Sequence, residues 1–361
     1  MEKRPKIVVV GSGFGGLETA LSLNKKLGRK AEIKVLDKSD CCLYTPELYH
    51  YLIGERKKED ITFDLEEMLS QKGVEFKQEG LESIDSRNKK AKTDKGFHEY
   101  DYLVLSIGAE INTLGIKGTE NAVGFKTIGH ANKIKEKLDN FGSKNKINII
   151  GCGLISVELA CFLKKCFKKS EAPKIHLRGI ELMPGFSDKV KEKVKHHLKD
   201  RDIEVIEDCK IEEIKPKKLK CKIKNAHKAV DSDLTIMSTG FKIPEVAKSL
   251  GLEYNEQGIK VNEFLETSEI GIFAIGDCSF LKQEGGVEKK RAQTAEKEGK
   301  HVAKNIIKDI KDKEKSDYKV EEIPTIISTA PTYILDYKGI VFKSKLVNLM
   351  EKFIKWKSMF R

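Results

Sequence analysis

Long apolar runs are missing from this 361-residue sequence. The longest, over residues 147–163, is broken by Asn148, Glu158 and a Gly-rich turn. It falls short of the roughly 18 uninterrupted apolar residues that mark a membrane-crossing helix, so no such helix is expected. No secretory leader is expected either. Only Met1-Glu2-Lys3-Arg4-Pro5-Lys6 precedes the β-branched run Ile7-Val8-Val9-Val10, too little for a secretory signal, and the chain is expected to stay in the cytoplasm. Cysteine occurs eight times without a framework spacing, which sets aside a disulfide-stapled fold and predicts free thiols in a reducing compartment. Cys161 and Cys166 sit in a helical apolar pattern and read as ordinary core or surface residues. Arginine is scarce, so the net charge of +12 comes almost wholly from lysine. Such a balance favours anionic partners: nucleotide phosphates, acidic lipid surfaces or nucleic acid. With few arginines and no recognisable binding module, nucleic acid is not an expected partner. No residue set is assigned to a metal. Aromatics reach only 7%, yet 39% of residues are apolar, enough for two to three globular cores under a heavily solvated surface.

What is present is a coarse internal repeat. The run at Ile7 leads into Gly11-Ser12-Gly13-Phe14-Gly15-Gly16 and a helical pattern through Leu17, Ala20, Leu21, Leu23 and Leu27. The same order returns as Ile147-Asn148-Ile149-Ile150, Gly151-Cys152-Gly153-Leu154-Ile155-Ser156 and a helix through Val157, Leu159, Ala160 and Leu163. Each copy closes on a second strand and turn, ending at Ser106-Ile107-Gly108 and at Ser238-Thr239-Gly240, so the two copies are of similar length. A third motif, Ile272-Phe273-Ala274-Ile275-Gly276-Asp277, reads as a strand returning to the first copy. The fold class expected is α/β with two Rossmann-like dinucleotide-binding domains, the second inserted in the first.

The first copy is a complete phosphate cradle. Gly11 allows the tight turn, Gly13 admits a pyrophosphate to the backbone, and Gly16 lets helix and strand pack closely, with Phe14 and Gly15 completing the turn at a helix N-terminus rich in free N–H groups. Asp37, beside Lys38, ends the next strand, Ile33-Lys34-Val35-Leu36, placed to accept hydrogen bonds from an adenosine ribose. In the second copy Ser156 replaces the third glycine, and the strand Lys174-Ile175-His176-Leu177 runs into Arg178-Gly179 where an acid is expected, with Glu181 slightly late. Arg178 is one candidate for meeting a 2′-phosphate; the alternative is a second half that binds nicotinamide nucleotide poorly or not at all.

These motifs, with Tyr100-Asp101-Tyr102-Leu103-Val104-Leu105 and Ala274-Ile275-Gly276-Asp277, resemble the two-dinucleotide-binding-domain flavoproteins, the pyridine nucleotide-disulfide oxidoreductases. Leu43-Tyr44-Thr45-Pro46-Glu47-Leu48, Asn112-Thr113-Leu114-Gly115 and Ala292-Gln293-Thr294-Ala295-Glu296-Lys297-Glu298-Gly299 resemble in particular the type II NADH dehydrogenase branch. The resemblance implies an FAD domain over 1–112 and 245–312, an NAD(P) domain over 113–244 and a C-terminal segment over 313–361. It implies FAD held by Gly11, Gly13 and Gly16 on the pyrophosphate, Asp37 on the ribose and Asp277 after Gly276 on the ribityl chain, with Ser106 and Gly108 in the same site and Tyr44 and Pro46 near the flavin. NADH or NADPH is implied as donor at Gly151, Gly153, Glu158 and Gly240, and quinone as acceptor beside Ala292 and Gln293. Lys297 stands where that branch usually carries glutamine; it is either a buried cation near the quinone or a residue turned to solvent. Glu158, Gln293 and Lys297 are the expected catalytic set. Disulfide reductases of the family need a C-x-x-x-x-C pair, whereas Cys41 and Cys42 are adjacent. Sulfide:quinone oxidoreductase needs a cysteine well toward the C-terminus, and none follows Cys278. It stays as the alternative enzyme, beside a flavin-binding redox-sensing or docking module with a decayed nicotinamide site.

Leu346, Leu349, Met350, Phe353, Trp356 and Phe360 fall at helical spacing among Lys345, Lys352, Lys355, Lys357 and Arg361. That pattern predicts a helix on an anionic membrane surface, peripheral on the inner face of the cell membrane, or a homodimer contact.

Overall fold

The computed structural model describes residues 4–283, 286–287, 290–321, 324–330, 332–337 and 340–342; the basic segment from Leu346 to Arg361 lies outside them. In chain order, β1 (Lys6–Val10) leads into α1 (Phe14–Leu27), followed by β2 (Glu32–Asp37), β3 (Glu75–Gln78) and β4 (Tyr102–Leu105). Then come β5 (Val123–Gly124), β6 (Lys146–Ile150), α2 (Leu154–Lys165), β7 (Lys174–Arg178), β8 (Ile203–Ile206) and β9 (Leu234–Met237). β10 (Ile272–Ala274) and α3 (Ala292–Asp309) follow.

The chain divides into two compact units. One comprises Met1–Leu43, Thr62–Glu110 and Phe241–Glu321; the other Tyr44–Ile61, Ile111–Gly240 and Glu322–Arg361. Each is built on a five-stranded sheet, ordered β10-β4-β1-β2-β3 in the first and β5-β9-β6-β7-β8 in the second. The recorded pairings of both are parallel, so the orders correspond strand for strand and the mixed α/β class expected from the repeat is the one observed. Four of the five residues of β1 and of β6 are buried. Near-continuous Ile and Val suits a parallel strand covered on both faces better than alternation does.

In the first unit, Ile7, Val9, Leu23, Val35, Val104 and Phe273 share one core with Val302 and Ile306 of α3. Burying each such side chain is worth roughly 1.5–3 kcal/mol. α3 reaches α1 through glycine: a Cβ on Gly299 would stand 2.5 Å from the Gly15 carbonyl oxygen, so a larger residue there would force the helices apart.

Three histidines record the burial. His130, His176 and His301 are all held below their ordinary pKa, with burial the largest cause at each, and His301 Nε2 meets the Ser316 carbonyl at 2.7 Å. Their neutral forms therefore stabilise the fold above the unfolded value of about 6.5. That contribution is lost as pH falls through the lower folded values. The melting temperature is expected to fall between about pH 7.5 and about pH 5, with a shallower slope in His301→Gln, measured by differential scanning fluorimetry.

Candidate active site

The first cradle is made at the C-terminal ends of β1, β2 and β4. Gly11 has φ +100°, and a Cβ there would overlap the Ser106 carbonyl oxygen, while one on Gly16 would overlap the Gly11 carbonyl oxygen. Both glycines are required by backbone crowding. Gly13 differs, because a Cβ there meets nothing within 4 Å, and as N-cap of α1 it brings no side chain to the helix N–H groups. The helix therefore presents open donors and partial positive charge to an anion. Asp37 accepts from the Ser12 N–H at 2.7 Å, the Ser12 hydroxyl at 2.6 Å and the Ser39 N–H at 2.9 Å. Lys38 beside it is exposed. Ser106 N–H donates to the Val10 carbonyl at 2.7 Å, and Gly108 takes φ +68° with open space where a side chain would be.

The same unit supplies a second rim to this cradle. Gly276 adopts φ +69°, and its N–H donates to the carboxylate of Glu298, which is 2% exposed. Asp277 follows it, half-buried. Ala292 and Gln293 open α3 and are half-buried as well. Gly13 open to solvent, a carboxylate at the end of β2 and another on the 276–278 turn fit an adenine dinucleotide such as FAD.

The second cradle repeats the backbone and alters the side chains. Gly151, at φ +120°, crowds the Ser238 carbonyl as Gly11 crowds Ser106, Gly153 is open, and Gly240 takes φ +86°. Ser156 is fully buried and donates its hydroxyl to the Ser238 carbonyl at 3.3 Å. Register settles the position of the missing acid. Val10 pairs with Leu36 in the first sheet and Ile150 with Arg178 in the second, so Gly179, not Arg178, stands where Asp37 does. Arg178 is 6% exposed, with Nε donating to Asn148 Oδ1 at 2.6 Å. It is a buried structural cation rather than a partner for a 2′-phosphate. Glu181 is engaged by Lys191 in an ion pair.

Glu158 lies on α2 and accepts from the Ser328 N–H at 2.9 Å. The buried Tyr49 phenol is held well above its ordinary pKa by burial first, then by the charge of Glu158 and a hydrogen bond to it. Its ring stacks on Phe162 with centroids 5.2 Å apart. Tyr44 and Pro46 belong to this same second unit. Tyr49 and Ser328 escaped the sequence reading: Tyr49 follows shortly after Tyr44 without a motif of its own, and Ser328 contributes backbone, which no residue type signals. Lys297 is ion-paired with Glu321 and its side chain is 41% exposed, so it is the residue turned to solvent and not the buried cation.

Cys42 and Cys278 carry no reactive signature. Burial pushes the Cys42 thiol up to about 12 and that of Cys278 to about 11, against the lowered values of nucleophilic thiols. Cys42→Ser is expected to keep NADH-dependent turnover within about twofold of the parent, since a thiol without thiolate character serves as packing; steady-state assay checks this, and a loss of several hundredfold would restore Cys42 as a redox group.

Two parallel sheets, each with a Gly-rich turn at a helix N-terminus and a crowded partner turn, define a two-site dinucleotide-binding oxidoreductase. The chain belongs to the pyridine nucleotide-disulphide oxidoreductase family, which its residues 5–299 match. It is 25% identical over 395 residues to a type II NADH:quinone oxidoreductase of Staphylococcus saprophyticus, covering 100% of this chain and 96% of that protein. It is 28% identical over 291 residues to a demethylphylloquinone reductase of Synechocystis, covering 76% and 72%. Among solved structures, NDH2 of Plasmodium falciparum in complex with NADH superposes with a TM-score of 0.87 at 17% identity, over 99% of this chain and 95% of that one. The sulfide:quinone oxidoreductase of Aquifex aeolicus gives 0.84 at 24%, over 98% and 91%. Among the described residues no helix is long and apolar enough to cross a membrane.

Proposed function

We propose that this protein takes electrons from NADH or NADPH and delivers them through FAD to a quinone at an anionic membrane surface. The observation that carries the reading is a complete first cradle, ending in Asp37, in one chain with a second that keeps Gly151, Gly153 and Gly240; full-length likeness to NADH:quinone oxidoreductases supports it. FAD, when bound, supplies a two-electron carrier between donor and acceptor. The residues do the rest. The N-terminus of α1 with Gly11, Gly13, Phe14, Gly15 and Gly16 takes the pyrophosphate, Asp37 the ribose and Asp277 the ribityl chain. Gly151, Gly153 and Gly240 seat the donor, and Glu158 orients it. Tyr44 and Pro46 border the flavin, and Ala292 and Gln293 face the acceptor. The basic segment from Leu346 to Phe360 docks on the inner face of the cell membrane, or between two copies of the chain.

The test is the anaerobic visible spectrum of the purified protein, with NADH, NADPH and sulfide added separately. Bleaching by a nicotinamide nucleotide, reversed by a water-soluble quinone, is the expected result. A protein without flavin even after reconstitution with FAD refutes the reading, and bleaching by sulfide alone transfers it to sulfide oxidation. Glu158→Gln is expected to slow the NADH-driven bleaching about 10- to 100-fold at unchanged FAD content, because a hydrogen bond to a charged group is worth roughly 1.5–3 kcal/mol; stopped-flow absorbance reads both.

A further inference from the structure

Two charged side chains grip the turn that carries Asp277. Glu298 accepts the Gly276 N–H. Opposite in sign, the Lys290 ammonium donates to the Gly276 carbonyl at 3.0 Å, to the Ser279 carbonyl, and to the Ser279 hydroxyl at 3.4 Å. That hydroxyl in turn donates to the Gly276 carbonyl at 2.9 Å. An ammonium has three protons to give, and all three acceptors here are neutral. Among the described residues no carboxylate lies within ion-pair distance of Lys290 Nζ, although its side chain is half-buried. A half-buried ammonium held by neutral dipoles is partly desolvated, and such a charge acts over distance more strongly than one in water. Lys290 also stands just ahead of α3, whose N-terminus adds partial positive charge.

We propose that Lys290 is a positioning residue of the flavin cradle whose charge selects the reduced cofactor. By fixing Gly276 and Ser279 it sets the direction of Asp277; by its charge it favours the reduced flavin, which carries one negative charge after gaining two electrons and one proton, over the neutral oxidised ring. The donor nucleotide supplies those two electrons and the proton, so no further reductant is needed. Glu298 fixes the same turn with the opposite sign and cannot serve the second role. The inference rests on the FAD reading, and a parent protein that holds no flavin would fail that reading before Lys290 is tested.

The experiment compares holoenzyme of the parent with Lys290→Gln, Lys290→Met and Lys290→Arg. Flavin content is read after desalting, and midpoint potential by anaerobic stepwise reduction against a reference dye. Gln retains donors for the turn without the charge, so Lys290→Gln is expected to hold FAD with a potential about 30 mV or more below the parent, which is a tenfold change in the relative affinity for reduced and oxidised flavin for a two-electron couple. Lys290→Arg is expected to restore most of the shift. If Lys290→Met loses FAD, Lys290→Gln still decides. A parental potential in Lys290→Gln, whether FAD binding is weakened or not, overturns the proposal and leaves Lys290 a mechanical clamp.

Discussion

Gly11→Ala is expected to purify without flavin and to melt at a markedly lower temperature. At φ +100° an L side chain is strained, and the added Cβ would overlap the Ser106 carbonyl oxygen, a backbone atom that cannot swing aside. Backbone strain of roughly 1–3 kcal/mol combines with an overpacking cost of about the same size. The clash pushes the turn from β4, which also carries Ser106 N–H on the Val10 carbonyl. Both walls of the cradle move together, so cofactor loss should exceed what the stability change alone implies. Gly13→Ala is the control: its Cβ meets nothing within 4 Å, so the fold should survive and only FAD affinity should fall. Absorbance at the flavin band and calorimetry separate the two. A flavin-replete, stable Gly11→Ala would mean that the turn relaxes in a way its two neighbouring strands do not allow.

The second large effect concerns donor choice. The first cradle pairs a hydroxyl with a carboxylate, Ser12 with Asp37 at 2.6 Å; the second has Cys152 and Gly179 at those two positions. A Cβ on Gly179 would come within 3.0 Å of the Cys152 sulfur, so the thiol and the missing acid go together. With no carboxylate at the position equivalent to Asp37 to bind a ribose 2′-hydroxyl or repel a 2′-phosphate, the parent is expected to use NADH and NADPH with kcat/KM values within about tenfold of each other. Copying the first cradle into the second, as C152S with Gly179→Asp, should raise the NADH preference by about 10- to 100-fold, since charge-assisted hydrogen bonds are worth roughly 1.5–3 kcal/mol. Gly179→Asp alone should do worse than the double variant, because the larger sulfur still occupies the space. A strong NADH preference already present in the parent would show that another group reads the ribose.

Those two cradles also show how far sequence reaches. Ile7-Val8-Val9-Val10 running into Gly11 is visible because a parallel strand, its turn and its helix are adjacent in the chain, and each leaves a local pattern. Arg178 marks where that stops. Counting along the chain from Ser156, as from Gly16 to Asp37, lands on Leu177; only the pairing of Ile150 with Arg178 puts Gly179 in the acid's position. Lys297 likewise keeps its place in the motif, and its partner Glu321 is set by packing that no motif encodes. Tyr49 and Ser328 meet Glu158 from opposite ends of the chain, and Lys290 serves backbone carbonyls, which every residue possesses. Tertiary partners of this kind have no composition and no period.

The discontinuity of the first unit bears on how the protein is made. Its segments are Met1–Leu43, Thr62–Glu110 and Phe241–Glu321, so the sheet that begins with β1 cannot receive β10 beside β4 until most of the chain has been synthesised. From Gly11 to Asp277 the ribosome needs roughly 13–50 s at about 5–20 residues per second. During that interval Leu103, Val104 and Leu105, which end paired with Ile272, Phe273 and Ala274, form an unclosed sheet edge in a nascent chain. The 111–240 segment, continuous in sequence, has no such wait. Cofactor capture at the completed first sheet is thus a late event of biosynthesis, since the strand beside β4 leaves the ribosome with the last third of the chain.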